Sequence, residues 1–276
     1  MNFEKNKFLD LGFAGPYKIF DEKNCEKLLE EKFVPKNQFL WTKSIHEKST
    51  KVVSVASKEI ILDKIKEILG KDILLWGSCF IEQKPGHKHP WHIDLEYKSW
   101  DGVTIWIGLK NLNNNTPLSL ITHTHKIDNF PQALEEKNIN IENDNDVLTE
   151  AKKNNENCEL KTFYLKPGEF IIWSGKVWHK TLNHSNKKRE SIILQYCSPN
   201  NIVKIPLNYN YREMRWSKEK PTCILMSGED KQKFNKILEK SSFDLDETFL
   251  NFFSRKFINY FYKLRFKLSS VYRKFN

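Results

Sequence analysis

The chain has no apolar run approaching the ~18 uninterrupted residues that a membrane helix requires. Its densest apolar stretch, around Ile73–Gly77, is the size of a strand. The opening residues lack the apolar core of a secretory signal. Cysteine is scarce: Cys25, Cys79, Cys158, Cys197 and Cys223 are odd in number, far apart and free of any C-x-x-C pair. That spacing argues against a disulfide framework and against a zinc ribbon, and makes a reducing cytoplasm the expected compartment. No internal repeat is present. What remains is 39% hydrophobic and 29% charged, the texture of an ordinary soluble globular protein. At 276 residues, one sizeable core can form without staples.

Acidic residues are missing from one region in particular. Residues 251–276 hold seven basic side chains (Arg255, Lys256, Lys263, Arg265, Lys267, Arg273 and Lys274) and no Asp or Glu. This tail accounts for +7 of the formal +10. Residues 127–160 show the opposite bias, with nine acidic residues against Lys137, Lys152 and Lys153. The body of the protein is therefore nearly neutral, with an acidic insert and a basic tail. A general nucleic-acid binder should instead carry its basic groups on the fold itself.

Residues 21–34 have helical spacing, with Asp21 as N-cap and Pro35 as a stop. Residues 59–69 repeat the pattern through Ile60, Ile61, Ile65 and Leu69, closed by Gly70. Beyond Gly70 the texture changes to short strand-like runs at 73–82, 103–109, 119–122, 162–165, 170–173 and 191–197, separated by turn residues. Helices followed by many short strands predict a mainly β architecture, an antiparallel sandwich or barrel with helices outside. The 127–160 insert is too long for an ordinary turn and reads as a partly helical flap or lid.

Two stretches could carry chemistry. In His87-Lys-His89-Pro-Trp-His92-Ile-Asp94-Leu-Glu96, an extended backbone puts His92, Asp94 and Glu96 on one face. His87 and His89 offer a rival H-x-H pair, but Pro90 suggests that the strand begins after it, leaving those two as loop residues near the mouth. A second histidine, His179, follows the 170–173 strand. Two imidazoles and one carboxylate leave about half of an octahedral iron shell open, as in the non-haem Fe(II) facial triad. Ten residues on, Arg189 and Ser191 share a face at the head of an apolar run, a fork and hydroxyl suited to a carboxylate.

These residues, in this order, resemble the phytanoyl-CoA dioxygenase family of Fe(II)/2-oxoglutarate oxygenases. The resemblance is carried by His92-x-Asp94, His179 and Arg189. It is supported by Lys84-Pro-Gly ahead of Trp91-His92, by Trp106-Ile-Gly-Leu109, and by Asn115-Thr-Pro-Leu…Thr124-His125-Lys against the family's "NGPL…GSH". His179…Asn183-His-Ser185…Arg189 matches the family's distal stretch. It covers about residues 9 to 200. Departures are Thr116 for the family's glycine, His123 and Thr124 for its glycine and serine, and Ile93 between the histidine and the aspartate.

The resemblance implies a double-stranded β-helix (jelly roll) over residues 1–215. It implies Fe(II) held by His92, Asp94 and His179. The cosubstrate 2-oxoglutarate would lie on Arg189, with Ser191, Thr181 and Trp106 lining its pocket, and O₂ as oxidant. Asp94, retained where halogenating relatives lack a carboxylate, favours hydroxylation or another oxidative outcome on a small-molecule substrate. Residues 216–276 are expected to form a helical, aromatic-rich C-terminal extension. Its interleaved Phe, Tyr, Lys and Arg suit an anionic membrane surface, here the inner one, or an acidic partner. Two other readings stay open at this stage. The same triad accepts zinc for hydrolase or lyase chemistry, and a jelly roll can persist as a binding protein without catalysis.

Overall fold

The computed structural model describes residues 5–33, 41–208 and 211–238. Helix α1 (Lys5–Leu11) leads into strand β1 (Phe13–Lys18), followed by α2 (Glu22–Leu29), α3 (Thr50–Ala56) and α4 (Glu59–Leu69). α2 begins where expected, because the Asp21 carboxylate accepts from the backbone N–H of Asn24 at 2.8 Å. It tightens into a 3₁₀ turn over Glu30–Phe33, and the expected stop at Pro35 lies outside the described residues. α4 ends at Gly70, whose φ of 90° opens the left-handed region to the chain. Its buried stripe runs through Ile61, Leu62 and Ile65, while Ile60 faces solvent. α3, which has no counterpart in the sequence reading, is capped by Ser49 Oγ accepting from Val52 N–H at 3.1 Å.

The rest is built on strands: β2 (Ile73–Gln83), β3 (Lys88–His92), β4 (Val103–Lys110) and β5 (Leu118–Ile121). Helix α5 (Asp144–Asn154) intervenes before β6 (Leu160–Phe163), β7 (Glu169–Ser174), β8 (Trp178–Leu182), β9 (Arg189–Cys197), β10 (Thr222–Ser227) and β11 (Lys236–Ile237). A seven-stranded sheet has the order β1-β7-β4-β9-β2-β10-β11, and a four-stranded sheet the order β3-β8-β5-β6. Between them lies a core of Trp106, Leu118, Leu120, Ile171, Trp173 and Ile193. The other face of the large sheet, with Ile105, Ile107, Ile172, Ile192 and Leu194, packs against Cys25, Leu28, Val52, Ile61 and Ile65 of the helices. This is the expected jelly roll with flanking helices. Being covered on both faces, β9 is buried along its whole length, its polar residues Arg189, Ser191 and Gln195 included.

Two organisational expectations change. The described part of 216–238 is not helical; it supplies β10, antiparallel to β2, and β11. Cys223 packs toward one cluster and Ile224 toward another, as neighbours on a strand do. The expected boundary at residue 215 therefore falls within one sheet, while residues 239–276 lie outside the described residues. The acidic insert is partly helical, as expected. However, Leu134, Val147, Ala151 and Cys158 pack it onto Trp91, Ile93, Ile121 and Trp178, the outer face of the small sheet. Among the described residues no helix is long and apolar enough to cross a membrane.

Candidate metal centre

His92 ends β3 and His179 is the second residue of β8, and the two are direct partners in the antiparallel ladder. Their ring centroids are 4.1 Å apart. Contrary to the sequence expectation, β3 starts before Pro90. It is the edge strand of its sheet and its register shifts between His89 and His92, so the missing proline N–H interrupts nothing. His89 is in the strand, exposed, with its ring 3.9 Å from that of His92.

After His92 the chain leaves the sheet. Asp94 takes the N-cap position of a 3₁₀ turn over Leu95–Lys98, so His92, Asp94 and Glu96 do not share an extended face. The turn nevertheless delivers Asp94: donor atoms of His92, Asp94 and His179 all lie within 4.8 Å of one another. The same turn sends Glu96 elsewhere, into a buried ion pair with Lys43 at 2.7 Å.

Each donor is oriented by a second bond. The Nδ1 atoms of His92 and His179 donate to the carbonyls of Pro90 and Val177, both at 2.8 Å. Carbonyls only accept, so Nδ1 carries the proton and each Nε2 lone pair is free for a cation. Asp94 Oδ2 accepts from Thr104 Oγ1 at 2.9 Å and Gln195 Nε2 at 3.4 Å, and its N–H donates to the Gly175 carbonyl at 3.2 Å. Thr104 and Gln195 are ladder partners on β4 and β9. The carboxylate is thus tied to the large sheet and the imidazoles to the small one.

Burial pushes both imidazoles below their ordinary range, so they stand neutral, the form a metal binds. Burial alone would raise Asp94, but the Lys43 ammonium above all, helped by the Thr104 hydrogen bond, outweighs it and holds the carboxyl low. Lys43 itself is raised: burial opposes its charge, and Glu96 and Asp94 more than compensate.

On β9, Arg189, Ser191 and Ile193 alternate toward the small sheet. Arg189 is only 1% exposed, yet among the described residues its Nε and Nη1 have no hydrogen-bond partner, nor does Ser191 Oγ. The guanidinium carbon lies 5.1 Å from the Trp106 ring. Thr181, buried on β8, accepts at Oγ1 from Gln83 Nε2 at 3.4 Å, and Gln83 faces Arg189 in the β2–β9 ladder. The four sequence candidates for a carboxylate pocket thus converge. Burial lowers the Arg189 pKa to about 10. A buried guanidinium without a counter-ion is a site for an anion.

Sequence reasoning missed Gln83, Thr104, Gln195 and Lys43. The first three are on the inner faces of β2, β4 and β9, at even spacing from Ile81, Trp106 and Ser191, a signal usable only once strand pairing is known. Lys43 lies between β1 and β2, outside any helix or strand, and carries no periodic signal.

A family model for phytanoyl-CoA dioxygenase matches residues 16–191. The chain belongs to the phytanoyl-CoA dioxygenase family. As a member it is an Fe(II)/2-oxoglutarate-dependent oxygenase, an enzyme class that takes Fe(II), 2-oxoglutarate and O₂. Solved structures agree on the fold. A non-heme monooxygenase, ThoJ, in its apo form has a TM-score of 0.60 at 15% identity, over 92% of this chain and 95% of that one. CytC3 with Fe(II) and alpha-ketoglutarate has a TM-score of 0.60 at 19% identity, over 85% and 91%. EctD from S. alaskensis, also apo, has a TM-score of 0.55 at 17% identity, over 72% and 77%. No curated protein matches the chain. Two departures from the family's motif are absorbed locally. His123 holds a φ of 63° where the family has glycine. Thr124 Oγ1 donates to the Ile121 carbonyl at 2.7 Å and accepts from Trp178 N–H at 2.9 Å, as the family's serine hydroxyl could.

Proposed function

We propose that His92, Asp94 and His179 hold the Fe(II) and that Arg189 and Ser191 bind the far carboxylate of 2-oxoglutarate, with Thr181 and Trp106 completing the pocket wall. The enzyme hydroxylates an unactivated C–H of a small-molecule or lipid- or glycan-linked metabolite, releasing succinate and CO₂. The iron, when bound, supplies the oxidation that couples cosubstrate decarboxylation to C–H cleavage. The protein's residues do the rest. Pro90 and Val177 carbonyls fix which imidazole nitrogen is offered, Thr104 and Gln195 aim the carboxylate, and the apolar wall of Trp106, Trp173 and Ile193 keeps water away from the chamber.

The observation that carries this reading is the buried Arg189 guanidinium with two unpartnered nitrogens beside an unpartnered Ser191 hydroxyl. A zinc hydrolase on the same triad would give that guanidinium no task. The test is succinate release from 2-oxoglutarate with ferrous iron in air, across candidate substrates. Turnover that vanishes in Arg189→Ala supports the reading. Zinc-dependent hydrolysis with no succinate overturns it.

We further propose that the acid-free segment 251–276 brings the enzyme to anionic membrane surfaces, which would suit a lipid-linked substrate. Flotation of the full chain and of a 1–250 truncation with phosphatidylserine vesicles tests this, and equal flotation removes it.

A further inference from the structure

We infer that the acidic insert is a brace for the metal centre and that Gln132 is its chief positioning residue; this rests on the ligand reading above. Gln132 lies in the 3₁₀ turn Pro131–Ala133. Its side-chain oxygen accepts from the Ile93 N–H at 3.2 Å, and its Nε2 donates to the Ile93 carbonyl at 2.8 Å. Ile93 is the single residue between His92 and Asp94. The amide therefore closes a two-bond ring on the peptide groups that join two of the three metal donors. The β3 ladder ends at His92, so no strand holds Ile93. Its buried peptide groups need partners, and the Gln132 amide stands in for a strand.

Other bonds from the insert reach the remaining neighbours of the histidines. Trp91 Nε1 donates to Asp144 Oδ1 at 3.0 Å, and Lys180 Nζ pairs with the same carboxylate oxygen. Trp178 Nε1 donates to the Asn129 carbonyl at 3.1 Å. Trp91 and Ile93 flank His92, and Trp178 and Lys180 flank His179. Trp91, Trp178 and Lys180 are thus bonded to the insert through their side chains, on the face away from the donors, and Ile93 through its peptide groups. Because side chains alternate along a strand, anchoring the outward residues fixes where the inward imidazoles point. Asp144 carries the two flanks on one carboxylate, and Lys180 Nζ lies 5.2 Å from the Trp91 ring, closing the arrangement.

The bland explanation is that buried indoles and peptides need partners anywhere. That role would affect stability alone. A positioning role also moves the donors, and metal sites answer to such displacement in affinity and spectrum.

The experiment uses metal-free full-length protein titrated anaerobically with Co(II), reading affinity and ligand-field absorption well below the melting temperature. Gln132→Ala is expected to weaken Co(II) binding about tenfold or more and to alter the spectrum. Glu150→Gln, which removes ion pairs with Lys137 and Lys153 inside the insert, is expected to change neither. Should Gln132→Ala not fold, Gln132→Glu keeps the acceptor for Ile93 N–H and loses the donor, and weaker binding with a shifted spectrum is expected again. Wild-type affinity and spectrum in the variant that folds overturn the brace. His92→Ala separates the two claims: if it binds Co(II) like wild type, the ligand assignment fails. If it loses Co(II) while the Gln132 variant keeps it, only the brace fails.

Discussion

Gln83 and Arg189 are direct partners in the β2–β9 ladder, yet the Gln83 amide N–H donates to Thr181 and, among the described residues, its Oε1 accepts no hydrogen bond from the guanidinium. Arg189 thus faces a neutral neighbour, and the nearest carboxylates along the two strands, Glu190 next to it and Glu82 next to Gln83, are taken by Lys32 and Lys188. Among the described residues, the Arg189 Nε and Nη1 are left without a hydrogen-bond partner.

That arrangement costs stability. Replacing Arg189 by Met fills the same space without the charge, so Arg189→Met should leave the ligand-free protein as stable as wild type or up to about 3 kcal/mol more stable. The same variant should lose 2-oxoglutarate affinity by about a hundredfold. Urea melts and equilibrium dialysis check the two halves. A destabilised variant that still binds 2-oxoglutarate normally would sink the assignment.

The Lys43–Glu96 pair behaves in the opposite way. Both partners are largely buried, so Lys43→Met strands a carboxylate and should cost about 3 kcal/mol in urea denaturation. Lys43→Met combined with Glu96→Leu should recover most of that loss. A double variant no better than the single would show that the pair is not the source.

Gly175 is a close-approach glycine. A Cβ there would lie 2.0 Å from Tyr97 Cδ2, and Tyr97 is pinned by its hydroxyl donating to the Val103 carbonyl at 3.0 Å. Gly175 also accepts the Asp94 N–H. Gly175→Ala should therefore destabilise by about 2 kcal/mol and weaken Co(II) binding through Asp94. Gly86→Ala, with open space but a φ of +72°, should cost about 1 kcal/mol and leave Co(II) binding intact. Equal effects of the two on metal affinity would contradict this.

His46 sets a pH dependence away from the site. Its Nε2–H donates to the Thr222 carbonyl at 2.9 Å and its Nδ1 faces Ser78 Oγ at 2.7 Å, with the ring buried. Burial lowers its pKa to about 4. A depressed folded-state value means that its contribution is complete above about pH 6.5 and fades as pH falls toward 4. Urea midpoints of metal-free protein should decline across that window, and His46→Gln should decline less steeply. Parallel curves would rule His46 out as a contributor.

Much of the fold was legible because strand alternation and turn residues are local signals: six strand runs from 73 to 197 and the helix at 59–69 correspond to observed elements. The candidate site was legible through an ordered set of residue types that resembles a family. What stayed hidden had no local signal. β10 is recognisable as a strand only by its pairing with β2. Glu96 shares a strand face with Asp94 only if the backbone stays extended, and a 3₁₀ turn intervenes.

By itself, the amino-acid order pointed to helices outside an antiparallel sandwich or barrel and, through its family resemblance, to a jelly roll and the candidate set His92, Asp94, His179 and Arg189. Period and spacing are properties of a chain and need no partner. The tertiary structure alone decided that His92 stands opposite His179, that Arg189 faces a glutamine, and that Gln132 clasps the peptide between two donors. These pairings join residues 39 to 106 positions apart. Their register is set by packing two sheets and an insert around one core, which no local pattern encodes.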